Sequence, residues 1–186
     1  MSTQIPIQQR LCFSGHRRFG GSYDDNTPTG MWIKAKLAVL IRKAIAHGYK
    51  VFISGGALGL DIWAAEEVLR QRHANGDIRL VMAIPCAGQD ARWTPESRER
   101  YRRILEAADC VHYLSKDTYK PGCMDARDRL MIANVGTVLA FLERDNSGTG
   151  RAVKTALSLG KKVVVVDPRS RVTSSSESTR SETLRI

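Results

Sequence analysis

The stretch Ile53-Ser54-Gly55-Gly56-Ala57-Leu58-Gly59-Leu60-Asp61 joins an apolar, β-prone segment to a segment with helical spacing. Glycines at such a junction let the main chain approach a ligand closely, and the free amides at a helix start present partial positive charge to a phosphate. Tight turns also need glycine for positive φ, so this loop alone leaves a purely structural role open. Asp61 is a candidate either to accept hydrogen bonds from a ribose hydroxyl or to cap the helix.

Short β-branched runs alternate with helical patterns on both sides of this loop, which is typical of parallel strands joined by helical crossovers. Ile33, Leu37 and Ile41 recur at helical spacing, and Gly48 marks the end of that helix. The pattern predicts an α/β, Rossmann-like fold with an open, mainly parallel sheet and helices on both faces. The predicted strands are Leu11–Ser14, Val51–Ser54, Ile78–Pro85, Cys110–Leu114, Thr137–Leu142 and Lys162–Val166.

Length and composition favour one domain. The chain has 186 residues, of which 42% are hydrophobic, enough to bury one continuous core over residues 1–168. Residues 169–186 are rich in Ser, Thr, Arg and Glu, and we expect a disordered polar tail there. No run approaches the roughly 18 to 20 apolar residues of a membrane span. We therefore expect a cytoplasmic protein without a membrane partner.

The net charge and the cysteine spacing indicate which classes of partner and metal are expected. The formal charge of +10 makes a polyanionic partner conceivable, although the basic residues are spread over several helices, as on a generally basic surface. Cys12, Cys86, Cys110 and Cys123 form no CxxC pair, so we expect no metal site. Cys12 and Cys110 fall in apolar runs, where a thiol packs as a small hydrophobe. The residues indicate no cofactor.

A second glycine-containing loop, Asp145–Gly150, follows the fifth predicted strand and opens the last helix. Because the carboxyl ends of parallel strands share one edge of the sheet, the two loops predict a single crevice. The first strand ends at the same edge in Gly15, His16 and Arg17. A guanidinium suits a phosphate, and an imidazole suits a phosphate or a base edge.

Further candidates lie in two other loops. Gln89 offers an amide, and Trp93 offers either a stacking surface or a lid over the core. Arg127 lies in Met124–Arg129, which we expect to precede a helix ending near Asn134, while Trp63 and Met131 are expected in the core. The predicted ligand-binding residues are Gly15, His16, Arg17, Ser54, Gly55, Gly56, Gly59, Asp61, Gln89, Trp93, Arg127, Ser147, Gly148 and Thr149.

These motifs, in this order, resemble the YpsA-like branch of the SLOG superfamily over residues 11–166. That superfamily contains nucleotide phosphoribohydrolases that activate cytokinins and recombination mediators that bind single strands, and related domains are receptors for ADP-ribose signals. The motifs are Ser-Gly-His-Arg at 14–17, Ser-Gly-Gly-Ala-Leu-Gly-Leu-Asp-Ile-Trp-Ala-Ala-Glu at 54–66, Pro85 with Gly88, Gln89 and Trp93, Arg-Asp-Arg-Leu-Met-Ile at 127–132, and Ser-Gly-Thr at 147–149.

The resemblance implies a ligand held between the loops after strands 2 and 5, with strand 1 between them, and a homodimer or higher homo-oligomer. The phosphoribohydrolases pair the arginine of a Met-x-x-Arg segment, matched by Met124 and Arg127, with a glutamate just after the second glycine loop. Here that glutamate position is Ala152. The chain also has Leu130 and Ala133 where the YpsA-like pattern usually has Trp and Asp.

Three hypotheses follow. The first is binding of a nucleotide or nucleotide-derived ligand, such as an ADP-ribose-type signal, by a sensor or sequestering protein. The second is an N-glycosidase or phosphoribohydrolase acting on a nucleoside monophosphate, in which Glu66 or Asp61 replaces the missing acid and Arg127 steadies the phosphate. The third, ranked below both, is single-stranded nucleic-acid binding.

Overall fold

Strands and helices alternate along the chain as the sequence pattern predicts. The structure is a computed structural model that describes residues 5–21 and 25–176. After a short 3-10 helix at Ile7–Gln9, the elements in chain order are β1 (Arg10–Gly15), α1 (Pro28–Ala46), β2 (Val51–Ser54), α2 (Leu60–Arg72), β3 (Arg79–Ile84), α3 (Pro95–Ala107), β4 (Cys110–Tyr113), α4 (Cys123–Ala133), β5 (Thr137–Phe141), α5 (Gly148–Ser158), β6 (Lys162–Val166) and β7 (Thr173–Ser176).

The strands form one seven-stranded sheet in the order β4-β3-β2-β1-β5-β6-β7. All neighbouring pairs are parallel except β6 with β7. The predicted α/β, Rossmann-like fold is confirmed, as is the position of β1 between β2 and β5. Within the described ranges, no helix has the length and apolar character needed to span a membrane.

Two apolar cores sandwich the sheet because successive side chains of a strand point to opposite faces. Leu11 and Phe13 of β1 join the core under α1, α2 and α3, whereas Cys12 joins the core under α4 and α5. Trp63 and Met131 are buried, as predicted. Cys110 was predicted in an apolar run but lies exposed, because β4 is at the edge of the sheet.

Strand order reverses between β1 and β5. From β1 the chain moves outward through β2, β3 and β4, and it then returns to place β5 on the other side of β1. The two strands end together, since Ser14 pairs with Ala140 and Gly15 with Phe141. In open α/β sheets, a crevice forms where the strand order reverses, outside the carboxyl ends of the strands. The fold therefore places the loops after β1 and β5 on either side of such a crevice.

The tail departs from the sequence expectation. A disordered segment was predicted from residue 169, but residues 173–176 form β7 and pair with the edge strand β6. Asp167 donates its amide to the Val172 carbonyl at 3.0 Å, and Arg171, with φ of 61°, turns the chain back. Main-chain pairing requires no apolar side chain, so the polar composition did not exclude a strand. Residues 177–186 lie outside the described ranges.

The start of α5 lies so close to the preceding loop that residue 150 has to be glycine. A Cβ on Gly150 would lie 1.9 Å from the carbonyl oxygen of Asp145, a main-chain atom that cannot rotate away. A Cβ on Gly148 would meet only the Nη2 atom of Arg151, at 3.9 Å. At the start of α5, position 150 therefore has no room for a side chain, whereas position 148 has.

We predict that Gly150→Ala lowers the free energy of unfolding by about 2 kcal/mol, because overpacking outweighs the gain in helix propensity. Gly148→Ala is the matched control, and its stability should stay within about 1 kcal/mol of the wild type. Urea unfolding followed by circular dichroism measures both. Equal stability of the two variants would contradict the close approach at Gly150.

Candidate functional site

A cleft of about 310 Å³ opens where the strand order reverses, between the ends of β1 and β5. We call it the switch-point cleft. It brings together four regions of the sequence, namely the loop after β1, the segment Ala57–Asp61 after β2, the first turns of α4 and the start of α5. Its lining residues are Phe13, Ser14, Gly15, His16, Arg17, Ala57, Asp61, Met124, Asp125, Arg127, Asp128, Arg144, Ser147, Gly148, Thr149 and Arg151.

The start of α5 presents amide groups to this cleft. The hydroxyl of Ser147 accepts the Gly150 amide at 3.0 Å and so caps the helix. The Gly148 and Thr149 amides have no acceptor within residues 5–21 and 25–176. Together with the helix dipole they give this wall of the cleft a partial positive charge.

Four arginines line the switch-point cleft, and two of them are balanced by carboxylates. Arg127 pairs with Asp61 and Asp128, and Arg151 pairs with Asp125 at 3.1 Å. Arg17 and Arg144 pair with no carboxylate in the described part of the chain. The Nη2 atom of Arg17 donates to the sulfur of Met124, at 3.8 Å. The cleft therefore carries positive charge that its own acids do not neutralise.

Arg144 and Arg151 were missed by the sequence analysis. Their positions in the sequence indicated that they could reach the site. Arg144 comes just after β5, and Arg151 lies in the first turn of α5. Both positions border the second glycine loop. Weighting the residues that flank that loop, and not only its glycines, would have found them.

His16 joins the two sides of the cleft. Its Nε2 atom accepts the Glu143 amide at 3.0 Å, so the proton of the neutral ring is on Nδ1. Burial lowers the pKa of His16, and the nearby Arg144 and Arg169 lower it further. The ring therefore stays neutral at physiological pH and ties the end of β1 to the end of β5.

The first glycine loop is closed by its own side chains, contrary to expectation. Gly56 donates its amide to the Ser54 hydroxyl at 3.1 Å, and Ala57 donates its amide to Oδ2 of Asp61 at 3.3 Å. Ser54, Gly55 and Gly56 do not line the switch-point cleft. Asp61 does not cap α2, and its Oδ2 atom already accepts the Ala57 amide. The Gly56 and Ala57 amides are therefore occupied, whereas the Gly148 and Thr149 amides of the second loop have no acceptor in the described part of the chain.

Gly59 was predicted as a ligand-binding residue, but its conformation has a packing cause. Its φ is 81°, and a Cβ at this position would lie 2.6 Å from the Arg17 carbonyl oxygen and 2.7 Å from that of His16. Only glycine allows the loop after β2 to lie against the loop after β1. Gly59 thereby fixes the distance between Arg17 and α2.

Arg127 is buried and connects α4 to the first glycine loop. Its Nη1 atom donates to the Gly55 carbonyl at 2.6 Å and lies 3.6 Å from Asp61, while its Nε atom donates to Asp128 at 2.7 Å. Burial opposes the charge of Arg127, but Asp61 and Asp128 outweigh it and raise the pKa. The expectation that Met124–Arg129 precedes a helix was wrong, since α4 begins at Cys123 and contains the segment.

We predict that Arg127→Met lowers the free energy of unfolding by about 3 to 5 kcal/mol, because it leaves two carboxylates and a carbonyl without their buried partner. Arg129 is an exposed arginine on the same helix and provides the control. Arg129→Met should change stability by less than about 0.5 kcal/mol. Thermal and urea unfolding of both variants give the comparison. A stable Arg127→Met protein would show that the brace is dispensable.

The pKa of the Asp61 carboxyl is unusually high. Burial raises the pKa of its carboxyl from 3.8 to about 6, and Asp128 adds to this effect, although the Arg127 guanidinium and the Ala57 amide act in the opposite direction. The folded protein therefore holds the proton more tightly than the unfolded chain does. The resulting stabilisation is complete below about pH 4 and is lost as the pH rises through 6.

We predict that Asp61→Asn, which has no such titration, becomes more stable relative to the wild type as the pH rises from 4 to 7. The difference in unfolding free energy between the two proteins should change by about 3 kcal/mol over this range. Urea unfolding at several pH values measures it. A difference that is constant with pH would mean that Asp61 ionises alike in the folded and unfolded states.

The remaining candidates lie away from the switch-point cleft. Both carboxylate oxygens of Glu66 accept from Arg100, at 2.5 and 2.6 Å, and Glu66 does not line the cleft. Gln89 donates to the Gly56 carbonyl at 3.0 Å and so supports the first glycine loop from outside. Trp93 packs edge-on against Tyr101, with ring centroids 5.2 Å apart. Gly59, Gln89 and Trp93 line a second, larger cavity.

Fold and site together define a Rossmann-like domain with an arginine-lined cleft at the reversal of strand order. The family model described as the YspA SLOG family matches residues 11–162. The chain belongs to this family, as its motifs suggested.

Similar proteins agree with this assignment. The chain is 28% identical over 130 residues to a UPF0398 protein of Halalkalibacterium halodurans, covering 69% of each chain. It is 27% identical over 154 residues to a UPF0398 protein of Bacillus cereus, covering 81% of this chain and 84% of the relative.

Two solved structures share the fold. DNA processing protein A from Helicobacter pylori, described for its mode of single-stranded DNA binding, superposes with a TM-score of 0.60 at 25% identity over 85% of this chain. DNA processing protein A from Streptococcus pneumoniae gives a TM-score of 0.58 at 17% identity, also over 85% of this chain. The chain spans 65% and 50% of the length of those two chains, respectively.

Proposed function

We propose that the switch-point cleft binds the phosphate of a nucleotide or nucleotide-derived ligand, and that the protein acts as a sensor or sequestering protein for that ligand. One observation carries the proposal. The guanidinium groups of Arg17 and Arg144, which no carboxylate of the described chain neutralises, share a cleft with the Gly148 and Thr149 amides at the start of α5. Amides at a helix start and arginine forks are both strong phosphate ligands.

Binding without turnover is supported by the absence of a glutamate at position 152. The related phosphoribohydrolases have a glutamate where this chain has Ala152, and Ala152 is buried in the core beneath α5. The carboxylates lining the cleft are already engaged, since Asp125 pairs with Arg151 while Asp61 and Asp128 pair with Arg127. These contacts favour a ligand that is held rather than cleaved.

Self-association is part of the proposal. A groove of about 780 Å³ crosses the face of β2, β3 and β4 beside α4. Its apolar lining includes Val51, Ile53, Val81 and Ala83. The neighbouring Leu130 is 36% exposed. An apolar groove over a sheet is suited to a partner surface, and a second copy of the chain would cover it.

The test compares Arg17→Ala and Arg144→Ala with Arg129→Ala, an exposed arginine outside the cleft. We predict that each cleft variant weakens nucleotide binding by about tenfold, as expected for the loss of one charge-assisted contact, and leaves the melting temperature of the free protein unchanged. Arg129→Ala should bind like the wild type. Calorimetry with AMP, ADP and ADP-ribose measures affinity, and native mass spectrometry of protein purified from cells reads retained ligand and subunit number together.

Several outcomes would overturn the proposal. If none of these ligands bound the wild type, the nucleotide assignment would fail. If Arg129→Ala weakened nucleotide binding as much as the cleft variants do, general surface charge would explain the effect and the cleft would not be the binding site. Binding of an oligothymidylate that falls steeply with salt, without binding of any mononucleotide, would instead favour single-stranded nucleic acid, the ligand of the Helicobacter pylori relative.

One observation favours a second function, hydrolysis of an N-glycosidic bond. The Asp61 carboxyl lines the cleft with its pKa raised to about 6, so part of it holds a transferable proton near neutral pH. Chromatography of the same incubations tests this function. Free base that appears with the wild type and disappears with Asp61→Asn would establish hydrolysis, and intact nucleotide would leave binding alone.

A further inference from the structure

Two cysteines meet where the loop after β3 lies against the start of α4. Cys86 comes just after β3, and Cys123 is the first residue of α4. The two thiols are hydrogen-bond partners, and we call them the dithiol pair. The Ala87 amide donates to the Ser115 carbonyl at 3.2 Å and fixes the chain beside Cys86. No CxxC spacing marks the pair, so the contact arises only in the folded chain.

The segments that carry the dithiol pair also meet at the first glycine loop. Gln89, in the loop after β3, donates to the Gly56 carbonyl at 3.0 Å. Arg127, one turn beyond the cysteine of α4, donates to the Gly55 carbonyl at 2.6 Å. Two adjacent carbonyls thus hold the loop after β3 and the first turns of α4 side by side. The contact between the thiols is therefore part of a hydrogen-bonded arrangement of the main chain.

The two thiols differ in exposure. Cys86 is 1% exposed, and burial together with the nearby Cys123 raises the pKa of its thiol, so it stays protonated at physiological pH. Cys123 is half-buried and meets a dissolved reagent first. Cys86 in turn lies in the wall of a cavity of about 400 Å³, beside Gln89 and Tyr113. Small reagents therefore have a route to the pair from two sides.

We propose that the dithiol pair is a site of reversible oxidation by peroxides, and that its disulfide weakens ligand binding in the switch-point cleft. Hydrogen peroxide oxidises the Cys123 sulfur to a sulfenic acid and is reduced to one water. The Cys86 sulfur then attacks the sulfenic sulfur and forms the S–S bond, while the sulfenic hydroxyl leaves with the Cys86 proton as a second water. Thiol–disulfide exchange with a small thiol, which is itself oxidised to its disulfide, restores both cysteines.

The first turn of α4 connects the dithiol pair to the cleft. Met124 and Asp125 follow Cys123 directly and line the cleft. Asp125 pairs with Arg151 of α5 at 3.1 Å, and Met124 accepts from Arg17 at 3.8 Å. A disulfide holds two sulfurs closer together than a hydrogen bond between thiols does, so it draws the start of α4 toward the loop after β3. Because β3 and β5 lie on opposite sides of β1, this movement leads away from α5 and opens the cleft.

The effect on the cleft rests on the proposed function, whereas formation of the disulfide does not. The experiment treats the reduced full chain with hydrogen peroxide. Peptide mapping by mass spectrometry should find a disulfide between Cys86 and Cys123, with the loss of two hydrogen atoms. Calorimetry with AMP, ADP and ADP-ribose should show binding about tenfold weaker after oxidation, as expected for the loss of one charge-assisted contact. Dithiothreitol should restore the affinity, which separates the disulfide from oxidation of Met124, since the sulfoxide needs its own reductases.

Cysteine variants identify the thiols that respond. Cys123→Ser should bind nucleotide like the reduced wild type and should keep that affinity after peroxide treatment. Cys86→Ala, which leaves the oxidised Cys123 without a partner, should form no disulfide. Cys110→Ser is the matched control, because this exposed thiol lies at the amino end of β4, away from the pair, and its variant should respond like the wild type. The melting temperature of each reduced variant shows that it is folded.

The outcomes separate the two parts of the proposal. If no disulfide joins Cys86 to Cys123, the dithiol site is refuted while the phosphate cleft stands. If the disulfide forms and nucleotide affinity is the same in both states, or if Cys123→Ser still loses affinity with peroxide, its control of the cleft is refuted. If none of the three nucleotides binds the reduced wild type, the proposed function fails, and the peptide map still decides the dithiol site.

Discussion

The buried guanidinium of Arg127 is the contact on which the arrangement of the site depends. It connects α4 to the loop after β2 through the Gly55 carbonyl, and it lies between Asp61 and Asp128. Such a cation is costly to bury unless its hydrogen bonds are made, and here the acids and the carbonyl supply them. Gly55 has no side chain at the one point where a Cβ would lie 1.6 Å from Nη1 of Arg127. The first glycine loop is thus shaped around an arginine of its own chain.

Because the first loop is used internally, the amides without an acceptor in the described residues lie at the second loop. Ser54 and Asp61 occupy the Gly56 and Ala57 amides, whereas Ser147 caps only the third amide of α5 and leaves those of Gly148 and Thr149 without an acceptor in the described residues. Neutral His16 holds β1 and β5 together beside them. The amides at the start of α5 and the two arginines without a carboxylate partner in the described residues therefore line the same cleft.

Much of the architecture was predictable because the alternation of apolar runs and helical spacing is a local signal. The six parallel strands matched their predicted segments to within one residue at each end. Residues from four predicted loops, among them Gly15, Asp61, Arg127 and Gly148, do line one cleft. Arg144 and Arg151 were missed as residues of the cleft, and Glu66 was proposed as a catalytic acid although it does not line the cleft. Both errors arose because the partner of a charged side chain depends on which elements become neighbours. For Glu66 that partner is Arg100, on a different helix.

The sequence by itself determined the order of strands and helices, the positions of the close-packed glycines and membership of the family, since each of these is written in local spacing and motif order. Only the tertiary structure decided which loop amides are occupied, which arginines remain unneutralised and that residues 173–176 pair with β6. The reason is physical. A hydrogen bond or an ion pair between distant segments depends on distances that the folded sheet sets, and the same side chain is a ligand or a brace according to what lies within about 3 Å of it.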